Sequence, residues 1–255
     1  MKLNIVPART GITWVKLGIQ TFFKQPLAMS GLFFLYMAAA TLASLIPYVG
    51  VVLALAIVPA ATLGLMAATQ EATKGRFPMP AILISAFRAG QQRSRAMAVL
   101  GGLYAAACLL IVSIVPLFFN VPVSRESPLA PEMQGVMLAV MALYLPVSVL
   151  FWHAPALVHW HGVPPIKSLF FSAVVCFRNA GAYALFGLTW LAVLMLTGVV
   201  VTLLAGLLAS PEAAAALVMP AALLMAAMFS TSIYFTFESS FEATPSDDNS
   251  PGEMP

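Results

Sequence analysis

Phe151-Trp152-His153-Ala154-Pro155-Ala156-Leu157-Val158-His159-Trp160-His161-Gly162-Val163-Pro164-Pro165-Ile166-Lys167-Ser168-Leu169-Phe170-Phe171-Ser172-Ala173 is the stretch whose reading decides the fold. An apolar run ends in it, aromatic and polar side chains gather, and Gly162, Pro164 and Pro165 break the helix before a mixed segment begins. A membrane helix meeting the polar interface has this pattern.

The rest of the composition agrees. Of the 255 residues 61% are hydrophobic and 8% charged, and mean hydropathy is +0.96. A soluble domain carries about a quarter charged residues. Burial in a soluble core cannot absorb that excess, whereas a bilayer can. Residues Met1 to Gly11 contain no apolar core of signal length, so the expectation is no removed signal peptide. Cys108 and Cys176 show no spacing of a redox or zinc site and read as packed thiols.

Outward from the quoted stretch, apolar runs divide the chain into six spans of about 20 residues each. They end near Ala43, Thr69, Phe119, Val158, Leu208 and Phe235. Thr13, Lys16, Gln20 and Lys24 fall at helical spacing before the first span, as in an amphipathic helix lying on the membrane surface. Before the third span Ser85, Arg88, Gln92 and Arg95 share a predicted helical face. Lys167, Ser168, Ser172, Arg178 and Asn179 cluster before the fifth, with Phe171 and Val175 intruding. The fold expected is therefore all-α: a polytopic membrane domain over 1–242, built as three helical-hairpin repeats each preceded by an interfacial helix. Residues 243–255 are polar, acidic and rich in Pro and Ser, and read as a disordered cytoplasmic tail.

Charge sets the orientation. Lys2, Arg9, Lys16, Lys24, Lys74, Arg76, Arg88, Arg93, Arg95, Lys167 and Arg178 fall on one side of the spans, and Arg125 on the other. The positive-inside rule then predicts a bacterial inner-membrane protein with both termini in the cytoplasm. Each returning span holds a proline, Pro59, Pro146 or Pro220, where loss of a backbone hydrogen bond predicts a kink. Small residues at Ala60, Gly64 and Ala68, and at Ala222, Ala226 and Ser230, would let returning helices approach closely.

Chemistry-bearing residues are few. His153, His159 and His161 are six and two positions apart, whereas two ligands on one helical face need three or four, so no metal site is read. His153 remains a candidate intramembrane polar site, since ionisable groups inside a span default to function. Met133, Met137 and Met141 form a stripe that fits adaptable packing or a soft metal. No phosphate loop, nucleophile with a histidine partner or paired carboxylates appear, so no catalytic residue, cofactor or enzyme is expected. Lys16, Lys24, Arg88, Arg93, Arg95, Lys167 and Arg178 are candidate lipid head-group contacts, each worth about 1 kcal/mol beside anionic lipid. Nucleic acid is not an expected partner, because no aromatic and basic module accompanies these cations.

Leu3-Asn4-Ile5-Val6-Pro7-Ala8-Arg9, Pro59-Ala60-Ala61-Thr62-Leu63-Gly64-Leu65-Met66, Gly75-Arg76-Phe77-Pro78 and Ser85-Ala86-Phe87-Arg88 resemble the uncharacterised BPSS-type transmembrane proteins of beta-proteobacteria. Pro155-Ala156-Leu157-Val158, followed by Ser168 and Ser172, is also similar to YciC-like proteins and to the membrane domain of glycerophosphodiester phosphodiesterases. The resemblance implies an inner-membrane protein without an assigned activity, and the phosphodiesterase catalytic domain has no counterpart. The function expected is non-enzymatic organisation of phospholipid or other membrane proteins. The alternative is a transporter or channel between the three repeats, which a polar cavity beside His153 would favour.

Overall fold

The computed structural model describes residues 2–119, 131–208 and 211–242. Six helices among them are long and apolar enough to cross a membrane: Pro26–Ser44, Gly50–Thr73, Gln91–Phe118, Met133–His161, Ala180–Leu207 and Ala216–Ser240. The chain is an all-α polytopic membrane protein. Arg125, most of the polar loop around it and the acidic tail lie outside the described residues.

Helix α1 spans Thr10–Lys24, α2 Pro26–Ser44, α3 Gly50–Thr73, α4 Gln91–Phe118, α5 Pro131–Phe151, α6 Ala154–His161, α7 Pro165–Arg178, α8 Ala180–Leu208 and α9 Pro211–Ser240. A 3-10 helix over Pro80–Phe87 precedes α4. Lys2–Leu3 (β1) pairs antiparallel with Phe241–Glu242 (β2), so the first residues meet the end of the last span on one side. That side, called the basic end below, also joins Gln25 to Arg76 through a side-chain hydrogen bond of 3.2 Å. Pro59, Pro146 and Pro220 lie inside α3, α5 and α9, and Pro116 lies inside the outgoing α4.

Three short elements wedge between the spans. Helix α1 packs on α8 and α9, the 3-10 helix on α3, and α7 on α5 and α6. Each lies against the returning span of the preceding hairpin, the first closing on the third. They nonetheless differ in kind, and each departs from a plain surface helix.

In α1 the polar side chains Lys16, Gln20 and Lys24 are exposed as expected, but Trp14, Val15 and Phe22 are buried against the bundle. Glycine makes the approach possible: a Cβ at Gly18 would lie 2.5 Å from the Ser232 Cβ, and one at Gly11 would lie 2.1 Å from the Ala182 carbonyl oxygen. This helix is docked on protein through that face rather than laid on lipid. The expected continuous face of Ser85, Arg88, Gln92 and Arg95 does not form, because Gly90 (φ 98°) turns the chain between the 3-10 helix and α4. Gly64 of α3 receives that 3-10 helix and not another returning span, since a Cβ there would lie 2.7 Å from Leu83 Cα.

Helix α7 reverses the expected orientation. Ser168, Ser172, Val175 and Cys176 face inward, while Ile166, Phe170 and Phe177 point outward with Lys167 and Arg178. The expected polar cluster is thus split between two faces. In a bilayer this is the economical arrangement, because hydroxyls find partners inside the protein and aromatic rings lose nothing by facing lipid.

Candidate functional site

The fourth span breaks at Trp152–His153, between α5 and α6, inside the stretch quoted first. The repair comes from α7. The Ser172 hydroxyl donates to the Val149 carbonyl (2.8 Å) and accepts from the His153 backbone N–H (3.0 Å). Those two backbone groups would otherwise bond to each other as one rung of a continuous helix. A side chain inserted into the ladder bends a helix while leaving no orphaned polar group. Cys176 adds a weak donor at 3.9 Å from the same carbonyl, and burial pushes its thiol up to about 12, so it stays protonated and inert.

The break sets the direction of each histidine. His153 is fully buried; its Nε2 hydrogen-bonds the Tyr183 hydroxyl, and its ring packs on Phe237 and Phe241. Its Nδ1 has no partner among the described residues. His159 faces the 3-10 helix, and His161 faces Phe237 and Phe241. His153 and His161 thus share the rings of Phe237 and Phe241, while His159 stands apart beside the 3-10 helix. No three of His, Cys, Asp and Glu converge among the described residues.

The N-terminal segment is clasped nearby by Asn179, which is 2% exposed. Its Oδ1 accepts from Val6 N–H (2.9 Å) and its Nδ2 donates to the Asn4 carbonyl (3.1 Å). Asn4 in turn donates to the Ser239 carbonyl (3.1 Å), and Trp14 Nε1 donates to the Ser239 hydroxyl (2.7 Å). Read from sequence, Asn179 was one polar residue in an interfacial cluster; only its distance in sequence from Asn4 and Val6 hid this role.

Of the candidate head-group contacts, Lys16, Lys24, Arg88, Arg93, Arg95, Lys167 and Arg178 are all exposed. Arg88 differs by lining a recess. Together with Ala81, Ile82, Ser85, Ala89 and His159 it lines an open hollow of about 380 Å³. The Ser85 hydroxyl and His159 Nδ1 are buried without hydrogen-bond partners among the described residues. An exposed guanidinium on a polar-lined recess fits an anion. Arg76, by contrast, is committed to Glu71 through two contacts of 2.5 and 2.7 Å, which holds its guanidinium pKa above the usual value.

A second cavity, of about 360 Å³, lies among the three returning spans. Val58, Pro59 and Thr62 of α3, Tyr144 and Ser148 of α5, and Phe229 and Ile233 of α9 line it, with Tyr104, Phe151 and Trp152. Its hydroxyls are already engaged: Thr62 with the Val58 carbonyl (2.9 Å), Ser148 with the Leu145 carbonyl (2.7 Å), and Tyr104 with Tyr144 (2.7 Å). Trp152 Nε1 donates to Thr236 (3.0 Å). No charged side chain lines the cavity, and His153 is not among its lining residues. The walls suit an apolar chain better than an ion.

The methionine stripe takes no part in either cavity, and Met137 and Met141 are exposed at 52% and 65%. They face outward from α5, where packing had been expected.

Among known proteins, the chain is 36% identical over 254 residues to one described as a probable inner membrane protein of Burkholderia thailandensis, the match covering 94% of each chain. No family model matches the chain, and no solved structure matches it.

Proposed function

The chain belongs to the same family as that Burkholderia thailandensis inner-membrane protein, and from this premise we propose that it binds and organises phospholipid, with the basic end on the cytoplasmic leaflet. The observation that carries the reading is the recess lined by Arg88, Ser85 and His159, in which the Ser85 hydroxyl and His159 Nδ1 have no hydrogen-bond partner among the described residues. An anionic head group supplies acceptors for the exposed Arg88 guanidinium. The exposed cations Lys16, Lys24, Arg93, Arg95, Lys167 and Arg178 add attraction of about 1 kcal/mol each near anionic lipid. This function requires no reaction and no cofactor.

The test is native mass spectrometry of the purified full chain titrated with phosphatidylglycerol. Arg88→Glu is expected to weaken the tightest bound lipid by about tenfold, a loss of about 1.4 kcal/mol. Equal retention of phosphatidylglycerol by wild type and by Arg88→Glu combined with Arg93→Glu and Arg95→Glu rejects the reading.

The cavity among the returning spans favours a second reading, passage of a lipid chain or small apolar solute between the three hairpins. Vesicles carrying the protein and a fluorescent phospholipid would then exchange that lipid between leaflets faster than protein-free vesicles. Equal rates reject passage of lipid.

A further inference from the structure

At the basic end, on the other side of α6 from the Arg88 recess, lies a pocket of about 290 Å³. It is lined by Gln70, Trp160, His161, Tyr234, Phe237, Glu238 and Phe241. Four of these are large aromatic side chains set at differing tilts. Trp160 meets Phe237 at 5.1 Å and 52°, and Tyr234 at 6.2 Å and 87°; Phe237 meets Phe241 at 4.8 Å and 35°. Tyr234, Phe237 and Phe241 are buried and pack on one another, whereas Trp160 is half-buried and is the ring with surface left for the open space; ring faces attract cations, that of Trp most strongly.

The carboxylate makes the pocket selective for charge. Glu238 is exposed at the pocket, and Tyr234 donates to its Oε1 at 3.0 Å, which fixes the carboxylate and leaves Oε2 open. Among the described residues no cation pairs with Glu238, and no Lys or Arg lines the pocket. Glu71 gives the contrast at the same end, since its carboxylate is taken up by Arg76. On a surface with many exposed cations, this oriented carboxylate beside Trp160 has no cation among its described partners.

We propose that this pocket binds an alkylammonium group, carried either by a lipid head group such as ethanolamine or by a soluble amine. The Trp160 ring supplies cation–π attraction and Glu238 supplies the counter-charge. The site is separate from the Arg88 recess, so it stands or falls independently of anionic lipid binding.

The experiment titrates tetramethylammonium chloride, against matched sodium chloride, into the full chain in detergent micelles. It follows the ¹⁵N indole resonance of Trp160, assigned through Trp160→Phe. A saturable shift is expected, weakened at least tenfold in Glu238→Gln, which keeps the side chain's shape and an acceptor for Tyr234. A matching melting temperature and circular dichroism spectrum for Glu238→Gln would show that the loss is one of binding. Absence of a saturable shift in wild type, or equal affinity in Glu238→Gln, overturns the proposal. Repetition in bilayers of phosphatidylethanolamine and of phosphatidylglycerol separates the sources. Displacement of an already shifted resonance in phosphatidylethanolamine supports the lipid head group, and identical titrations in both bilayers support a soluble amine.

Discussion

At the basic end α1, the 3-10 helix and α7 fill the spaces between spans, and Trp14, Leu63, Met66, Leu100 and Leu157 are at most 1% exposed. Toward the opposite end the spans continue without such wedges, and Leu45, Leu117, Met141, Leu203 and Leu207 are 64% to 82% exposed. In water the second arrangement would be an aggregation site. In a bilayer it costs nothing, because lipid tails are as apolar as leucine and give little reason to bury one leucine against another. Specific structure must then come from close backbone approach and satisfied polar groups. Gly11, Gly18, Ser172 and Asn179 supply these where the wedges meet the spans.

The largest effect expected from this contrast comes from pairing the same substitution in the two regions. Gly18→Leu drives a side chain into Ser232 and should cost about 3 kcal/mol. Gly198→Leu, with nothing within 4 Å of its Cβ position, should stay within about 0.5 kcal/mol of wild type. Unfolding of both variants in mixed micelles measures this, and equal losses would break the distinction between a packed end and a lipid-facing end.

Hydroxyls sharpen it further. Ser172→Ala leaves His153 N–H and the Val149 carbonyl without their bridge and should cost about 1–3 kcal/mol, with faster exchange of the His153 amide. Ser113→Ala removes a hydroxyl that bonds its own helix at the Leu109 carbonyl, on an exposed face, and should change stability by less than about 0.5 kcal/mol. Similar amide exchange at His153 in wild type and Ser172→Ala would mean that the inserted hydroxyl does not hold the break.

The smallest effect has the opposite sign. Tyr48, in the exposed turn between α2 and α3, has φ 66°, a conformation disfavoured for a side chain of its size. Tyr48→Gly should raise stability by about 0.5 kcal/mol after the added freedom of the unfolded chain is set against the relieved strain. A clear loss in the same unfolding assay would show that the aromatic side chain anchors this turn at the interface more strongly than its backbone is strained.

Much of this was legible in the sequence, for identifiable reasons. The break at Gly162, Pro164 and Pro165 and the six apolar runs are local signals, read from one segment at a time, whereas the earlier break at Trp152–His153, inside a span expected to run on to Val158, depends on Ser172 of another helix. Lys16 and Lys24 also stood on the face their spacing put them on, while Arg88 and Arg95 are exposed without sharing one. The wedges were legible as segments but not as contacts. For α1 the polar stripe marked one exposed face, while docking depended on two glycines meeting α8 and α9. In α7 the hydroxyl positions were visible, yet their inward direction followed from an unsatisfied carbonyl on another helix. Arg88 and His159, or Trp160 and Phe237, come together because a short α6 is aimed by the break before it.

By itself, then, the sequence determined a polytopic membrane protein with one strongly basic side, because span length, hydropathy and the placement of cations are properties of composition against a bilayer of fixed thickness. Tertiary structure decided which face of each helix turns inward. Spans apolar all round do not encode their own rotation about the helix axis, so the buried hydroxyls, the Arg88 recess and the aromatic pocket of Glu238 exist only once the helices have packed.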